Sequence, residues 1–415
     1  MNNETKKGKL VPELRFPGFD GEWEVKILGE IADRCNFRNK DKAETRVLTN
    51  SATEGVVDQN AYFDKDIAIK ENTDNYHIVD RDDFVYNPRI STSAPVGPIS
   101  RNKLGRGIMS PLYSVFRFKS ENIDYLEHFF STTLWHKYLK QVANYGARFD
   151  RMAISTEDFY AMPIFVPSLP EQQKIAECLS SVDNLIQAEA DQLQALKDHK
   201  KGLMQQLFPQ EGETTPKLRF PGFEGEWEEK KLGEVGETVS GLTYSPSNVS
   251  NDGSGLLVLR SSNIKNGMLC FDDNVYVQSI KKYNPVKEND ILICVRNGSS
   301  SLIGKNALIP IGLSAAFGAF MMVFRTNQWS FVFQLLQTET YSKQIEQNLG
   351  ARINSINSED FKNYEFFFPS TPEEQQKIAE CLSSLDEGIA AQQEKVEALK
   401  EHKKGLMQKL FPTIN

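Results

Sequence analysis

Much of the equipment of an enzyme, a secreted protein or a membrane protein is missing from this 415-residue sequence. Its five cysteines, Cys35, Cys178, Cys270, Cys294 and Cys381, form no CxxC pair. An odd, scattered set reads as reduced cytosolic thiols, not a disulfide frame. No run approaches 18 apolar residues, so no membrane span is expected. The first sixteen residues, MNNETKKGKLVPELRF, carry lysines but no apolar stretch behind them, which argues against a secretory signal. The five histidines (His77, His128, His136, His199, His402) fall at no metal-ligand spacing, and no metal site is expected. No GxxxxGK[ST] loop occurs: Gly304-Lys305-Asn306 lacks the leading glycine and the hydroxyl. Gly253-x-Gly255 lacks the third glycine of a dinucleotide fingerprint.

Two short matches to catalytic motifs fail on inspection. Asn87-Pro88, after the apolar run Phe84–Tyr86, is faintly like the Asn-Pro-Pro-aromatic motif of adenine-N6 methyltransferases. Arg89 and Ile90 stand where that motif has its second proline and aromatic residue, so a turn is expected. Glu24-Val25-Lys26 and Glu228-Glu229-Lys230 share the Glu-x-Lys end of a nuclease site, but Asp20 is too close to serve as its aspartate. Both read as solvated strand edges. A large positive charge is absent too: the net charge is −8, which argues against a simple nucleic-acid-binding domain. The charge is uneven, however. Phe84–Met152 holds ten basic and four acidic residues, and Arg260–Arg352 holds ten and six.

What is present is present twice. Gln172–Pro209 returns as Gln375–Pro412 with 26 identities in 38 positions, and Leu14–Glu24 (LRFPGFDGEWE) returns as Leu218–Glu228 (LRFPGFEGEWE). Two dissimilar inserts of about 145 residues lie between these blocks. The long block is helical. Ile175, Leu179, Val182, Ile186, Leu193, Leu196, Leu203 and Leu207 alternate spacings of four and three, the seam of a coiled coil. The second copy gives Ile378, Leu382, Leu385, Ile389, Val396, Leu399, Leu406 and Leu410. Both seams are broken at the same places, by Glu189/Gln392 and Lys200/Lys403, which read as register devices; the two lysines read equally as polar residues tolerated at an exposed end. Pro167 and Pro170, and Pro369 and Pro372, stand ahead of the helices, and Pro209 and Pro412 end them. Each helix is then about 36 residues, roughly 54 Å. A seam with a polar back needs a partner, and the nearest is the other copy. Because the first helix delivers the chain to the second insert, pairing along the whole length requires an antiparallel arrangement.

The expected fold class is α+β: two similar mixed α/β domains separated by an antiparallel coiled coil of two long helices, with pseudo-twofold symmetry. The expected divisions are 1–23, an insert at 24–168, a helix at 169–210, a linker at 211–227, an insert at 228–370 and a helix at 371–415. Arg46–Leu48, Phe84–Tyr86, Tyr113–Phe118, Leu256–Leu259, Ile291–Val295 and Phe320–Phe324 suggest strands. Ile123–Tyr145 and Trp329–Leu349 suggest helices. Landmarks recur despite low identity: Asp83/Asp290, Arg89/Arg296, Gly97/Gly304, Phe116-Arg117/Phe324-Arg325 and Gly146-Ala147-Arg148/Gly350-Ala351-Arg352.

The chain resembles the specificity subunit of type I restriction-modification enzymes. The resemblance is carried by the tandem inserts, by the helix starts Leu169–Ile175 and Pro372–Ile378, and by the helix ends Lys200–Phe208 and Lys403–Phe411. It implies that the inserts are target recognition domains and the helices spacers. It implies a complex with double-stranded DNA, two methyltransferase (modification) subunits and two restriction-translocation subunits. S-adenosylmethionine, ATP and magnesium would then sit on those partners, none on this chain, in the cytoplasm. Dissimilar inserts imply unlike half-sites. Candidate DNA contacts are Arg89 with Ser91, Thr92 and Ser93, and Arg296 with Asn297, Ser299, Ser300 and Ser301, with Arg148 and Arg352 as phosphate or base contacts. The bland alternative for the arginines is a structural salt bridge. Two other functional readings stand beside this one: an enzyme with its own methyltransferase or nuclease site, and a coiled-coil adaptor for two proteins.

Overall fold

The computed structural model describes residues 10–62, 73–119, 121–144, 150–280, 282–351 and 355–413. The chain forms two compact units, Met1–Ala190 with Glu394–Asn415, and Asp191–Gln393. Two helices of 39 residues, Leu169–Leu207 and Pro372–Leu410, each contribute one part to each unit. Their first turns take in two prolines that were expected to stand ahead of them. Pro170 and Pro372 lie inside the first turn, where a missing N–H costs nothing and the fixed φ favours the helix.

In the first unit, the start of the first long helix lies beside the end of the second. Ile175 and Leu179 share a core with Leu410 and Phe411. Asp183 accepts from Lys403 at 2.5 Å, and Glu189 pairs with Lys395 at 2.7 Å. Rising numbers meet falling ones, so the strands of this pair are antiparallel. The second unit has the complementary halves: Leu207 and Phe208 share a core with Ile378 and Leu382, and Lys200 holds Asp386 at 2.6 Å. All sixteen seam positions are buried or half-buried, while most residues between them are exposed. The two lysines that interrupt the seams are each held by an aspartate, Asp183 or Asp386, from the other helix.

Those aspartates also receive the recognition domains. His128 comes from the helix Ile123–Phe130, with Nδ1 3.9 Å from Asp183 and Nε2 3.2 Å from the Ser180 hydroxyl. Gln334, from the helix Trp329–Leu335, donates to Asp386 at 2.9 Å. The sequence suggested one helix over Ile123–Tyr145 and one over Trp329–Leu349; each is broken in two. The following pieces are His136–Val142 and Glu339–Ala351, and Tyr145 lies outside the described residues. At each break a threonine hydroxyl, of Thr132 or Thr338, donates to a carbonyl three residues back (Phe129 or Leu335) at 2.7 Å. Such local bonds compete with the helical ladder.

The short repeat clamps the helix starts. Arg15 grips the buried Glu171 with two bonds of 2.7 and 2.8 Å and donates to the carbonyls of Asp20 and Gly21. Arg219 does the same to Glu374 at 2.6 and 2.7 Å, with the carbonyls of Glu224 and Gly225. Gly21 and Gly225 have φ of 79° and 88°, a left-handed conformation that glycine reaches without a Cβ clash. The same segments touch the helix ends. Leu14 N–H donates to Lys409 and Leu218 N–H to Gln206, both at 2.9 Å, while Trp23 packs on Phe411 and Trp227 on Phe208.

Each unit carries one four-stranded antiparallel sheet of the same order. In the first it runs Ala32–Arg34, Ser114–Phe118, Phe84–Tyr86, Ile99–Arg101. In the second it runs Glu237–Ser240, Met321–Arg325, Ile291–Cys294, Asn306–Leu308. A second strand pair joins Glu24–Ile27 to Pro163–Val166, and Glu228–Lys231 to Glu365–Phe368. The Glu-x-Lys runs thus belong to paired strands. The expected strand at Arg46–Leu48 starts at Leu48 and runs to Ser51. The units differ around the sheets: the first adds the pairs Leu48–Ser51/Gly55–Asp58 and His77–Val79/Gly107–Met109. The second adds a three-stranded sheet centred on Leu256–Leu259 and the ribbon Ile264–Lys265/Met268–Leu269.

Removing one partner of a buried ion pair strands the other charge, a loss of about 3–5 kcal/mol. Arg219→Met should therefore lower the urea-unfolding free energy by about that amount, and adding Glu374→Leu should restore most of it. Acid sensitivity should concentrate in the first unit. Burial pushes His77 down to about 4 and lowers His128, whereas the counterpart of His128 is the non-titrating Gln334. Unfolded His77 takes up its proton near pH 6.5, folded His77 only near 4, so stability falls as pH drops through that window. His77→Asn should reduce the slope of the pH profile of thermal unfolding between those limits, His128 and His136, lowered likewise by burial, carrying what remains.

Candidate nucleic-acid interface

In both units the loop after the third strand of the four-stranded sheet holds the candidate contacts. In the first unit this loop joins Phe84–Tyr86 to Ile99–Arg101. Its base is fastened by side chains: buried Asn87 donates to the Asn50 carbonyl at 2.9 Å and accepts from Arg89 N–H at 3.1 Å. Asn87-Pro88 is thus a turn. Ser91 and Ala94 exchange backbone bonds, and Gly97, at φ 78°, closes the loop where a Cβ would sit 2.0 Å from the Asn87 carbonyl oxygen. The rigid base presents Arg89, Ser91, Thr92 and Ser93, all exposed.

The second unit builds the same corner with different residues, between Ile291–Cys294 and Asn306–Leu308. Asn297 donates to the Ser261 hydroxyl at 2.9 Å and accepts from Ser299 N–H at 2.9 Å. Gly304, at φ 83°, closes the loop against Ile345. Arg296, Ser299, Ser300 and Ser301 are exposed and Asn297 is half-buried. The Arg296 guanidinium lies 5.7 Å from the ring centroid of Phe320, itself 57% exposed. Nothing in the sequence had singled out Phe320, beyond its place at the edge of an apolar run. Among the described residues neither Arg89 nor Arg296 pairs with a carboxylate.

Salt-bridged arginines do exist, at other landmarks. Arg117 holds the buried Asp83 at 2.6 and 3.1 Å, and Arg325 holds the buried Asp290 at 2.8 and 2.8 Å. Each aspartate also caps its own turn, accepting from Asp80 or Lys287 N–H. The guanidinium of Arg117 is held well above its usual range by these bonds. The pairs fasten neighbouring sheet strands and leave the loops free. Arg148 and Arg352 lie outside the described residues. Their described neighbours come back to the loops: Arg89 bridges Arg151, Ile90 N–H donates to Asp150, and Arg296 bridges Ser355.

Residues 20–198 and 224–401 each match the domain described as "Type I restriction modification DNA specificity domain". The chain belongs to this family. It carries two copies of the specificity domain, and its duplicated frame, long helices and mixed α/β inserts are those of a type I specificity subunit. The MjaVIII specificity subunit of Methanocaldococcus jannaschii is 28% identical over 319 residues, 74% of either chain. The EcoKI specificity subunit of Escherichia coli K12 is 29% identical over 167 residues, 38% of this chain and 36% of that one. In fold, the chain is similar to the type I S subunit from M. genitalium, with TM-score 0.60 and 13% identity over 98% and 100% of the chains. It is also similar to a chain from work on assembly and conformational transition of the type I system, with TM-score 0.54 and 17% identity over 97% and 99%. Among the described residues no cluster of three His, Cys, Asp or Glu could hold a metal, and no helix is long and apolar enough to cross a membrane.

The two kinds of arginine should separate in a stability assay. Arg325→Met should cost about 3–5 kcal/mol by stranding Asp290. Arg296→Ala, on an exposed loop, should change urea-unfolding stability by no more than about 0.5 kcal/mol.

Proposed function

We propose that this specificity subunit reads an asymmetric, two-part site on double-stranded DNA, one half-site per unit, and that the paired long helices set the unread gap. The observation that carries the reading is the matched corner. Two units of one sheet order, fastened by a left-handed Gly and an Asp–Arg pair in each and by an asparagine placed differently in each loop, present unlike loops. Arg89, Ser91, Thr92 and Ser93 face one half-site, and Arg296, Asn297, Ser299, Ser300 and Ser301 the other. Forked guanidinium and hydroxyl or amide groups are the chemistry that base edges in the major groove accept. Arg148 and Arg352, present in both readers, serve the phosphate backbone, which carries register but no sequence. Helices of 39 residues span roughly 58 Å at 1.5 Å per residue, more than the roughly 34 Å of one duplex turn.

On this reading the chain performs no chemistry. Two methyltransferase subunits and two restriction-translocation subunits join it in the cytoplasm and bring S-adenosylmethionine, ATP and magnesium. Partner contacts to phosphate also make a net charge of −8 tolerable in a DNA-reading chain.

Methylome sequencing of a host carrying the intact system tests the division of labour. Inserting one heptad into each long helix at equivalent positions should lengthen the methylated gap and leave both half-sites unchanged. Altered half-sites with an unaltered gap would defeat it. Arg296→Ala should weaken target-duplex binding by about 1–3 kcal/mol and relax one half-site only.

A further inference from the structure

The loop corner of the second unit contains a feature that the first unit replaces. The N–H groups of Val295 and Arg296 both donate to the Phe320 carbonyl, at 3.0 and 3.2 Å. Beside them the register is regular, with Cys294 facing Met321. Two residues of one strand thus oppose one residue of its neighbour, which is a β-bulge. A bulge bends its strand and re-aims a side chain, here that of Arg296. The guanidinium comes to lie over the Phe320 ring, 5.7 Å from its centroid, within range of a cation–π attraction.

Phe320 is held in place as well. It is the third residue of the turn Gly318–Met321, closed by a bond of 2.9 Å from Met321 N–H to the Gly318 carbonyl. Gly318 N–H donates to the Leu259 carbonyl at 2.9 Å, and Leu242 N–H to that of Phe317 at 2.7 Å. Gly241 crosses so near that a Cβ there would sit 2.1 Å from the Gly318 carbonyl oxygen. A single exposed phenylalanine is ordinary. This one is 57% exposed on a turn fastened from two sides, with a cation over its face.

The first unit builds the position otherwise. Pro88 stands where the second unit has Val295 and has no N–H, so the bulge cannot form. Arg89 N–H goes instead to the Asn87 side chain at 3.1 Å. By the landmark Phe116/Phe324, the counterpart of Phe320 is Leu112, third in the turn Ser110–Tyr113. Leucine has no ring face to attract a cation.

We propose that Phe320 is a specificity-determining residue of the second unit, holding the Arg296 fork in place to read a guanine. The inference rests on the proposed reading of the duplex and adds the base and the residue that aims at it. The base follows from the donors. Among the described residues no carboxylate takes up the N–H groups of Arg296, so they remain for a ligand. A planar fork needs two acceptors side by side, and on major-groove edges only guanine offers them, as N7 and O6. Phe320 acts through Arg296 and is a positioning residue.

The test uses the chain assembled with its methyltransferase subunits, the target duplex found by methylome sequencing, and single-base-pair variants through both half-sites. Arg296→Ala should relax one G·C pair in one half-site. Phe320→Leu should weaken target binding roughly fivefold and lose discrimination at that same pair. Phe320→Tyr should keep both, and Phe320→Leu should cost nothing further in the Arg296→Ala background. Should Phe320→Leu fold poorly by circular dichroism, Phe320→Met takes its place. If Arg296→Ala relaxes one pair while Phe320→Leu changes nothing, the role of Phe320 is overturned and the reading of the duplex stands. A silent Arg296→Ala defeats the reading at this corner and the proposal with it. Additive losses in the double variant, or a loss that tyrosine does not rescue, also overturn the proposal. Relaxation at an A·T pair overturns the guanine.

Discussion

Two carboxylates buried in the first turns of the long helices, Glu171 and Glu374, are the constraint on which the remaining architecture depends. Each is gripped by an arginine of the short repeat, and the same short segment also reaches the end of the other long helix through Leu14 or Leu218 and a tryptophan. One eleven-residue block therefore binds a helix start, a helix end and the strand that opens the recognition domain. Such a junction can form only where a start and an end lie together. It therefore selects antiparallel pairing. A buried carboxylate without its guanidinium would be costly, so the clamp discriminates strongly against other pairings.

The polar breaks in the seams obey the same logic. Because the copies are duplicates, a parallel pair would set Asp183 opposite Asp386 and Lys200 opposite Lys403, like against like. Running antiparallel turns these four residues into two ion pairs. Asp386 then accepts from Gln334 of its recognition domain, while His128 of the other lies 3.9 Å from Asp183 and bonds to Ser180 beside it, so the residues that specify pairing sit where the recognition domains dock. On the proposed function, docking and reading therefore fall to different residues. The clamp, the aspartates and the Asp–Arg strand pairs are common to both units, while the loops at Ser91–Ser93 and Ser299–Ser301 are free to vary.

The frame was legible because duplication states it twice. Heptad spacing located the seams, and prolines located the helix limits to within a few residues. The helix breaks after Phe130 and Leu335 were not legible, since apolar spacing runs through them and the bonds made there by Thr132 and Thr338 leave no periodic signal. Arg15 and Glu171 are 156 residues apart, and no local pattern joins them; repetition of both at nearly one offset was the available signal. Of the candidate contacts, the loops beside Arg89 and Arg296 lie in equivalent places on one sheet order. Asp83 and Arg117, recognisable as landmarks from their recurrence, turned out to be a strand fastening, a role that needed the fold to see. Phe320 under Arg296 was invisible because the partners come from different strands.

The antiparallel junction can be tested on the unmodified protein. Zero-length carbodiimide cross-linking joins amines to carboxylates already in contact, and peptide mapping identifies the pairs. Antiparallel pairing requires links within one chain between Lys403 and Asp183, Lys395 and Glu189, and Lys200 and Asp386. Links between like parts of the two copies, such as Lys377 to Glu177 or Lys174 to Glu380, or the expected pairs formed only between separate chains, would contradict it.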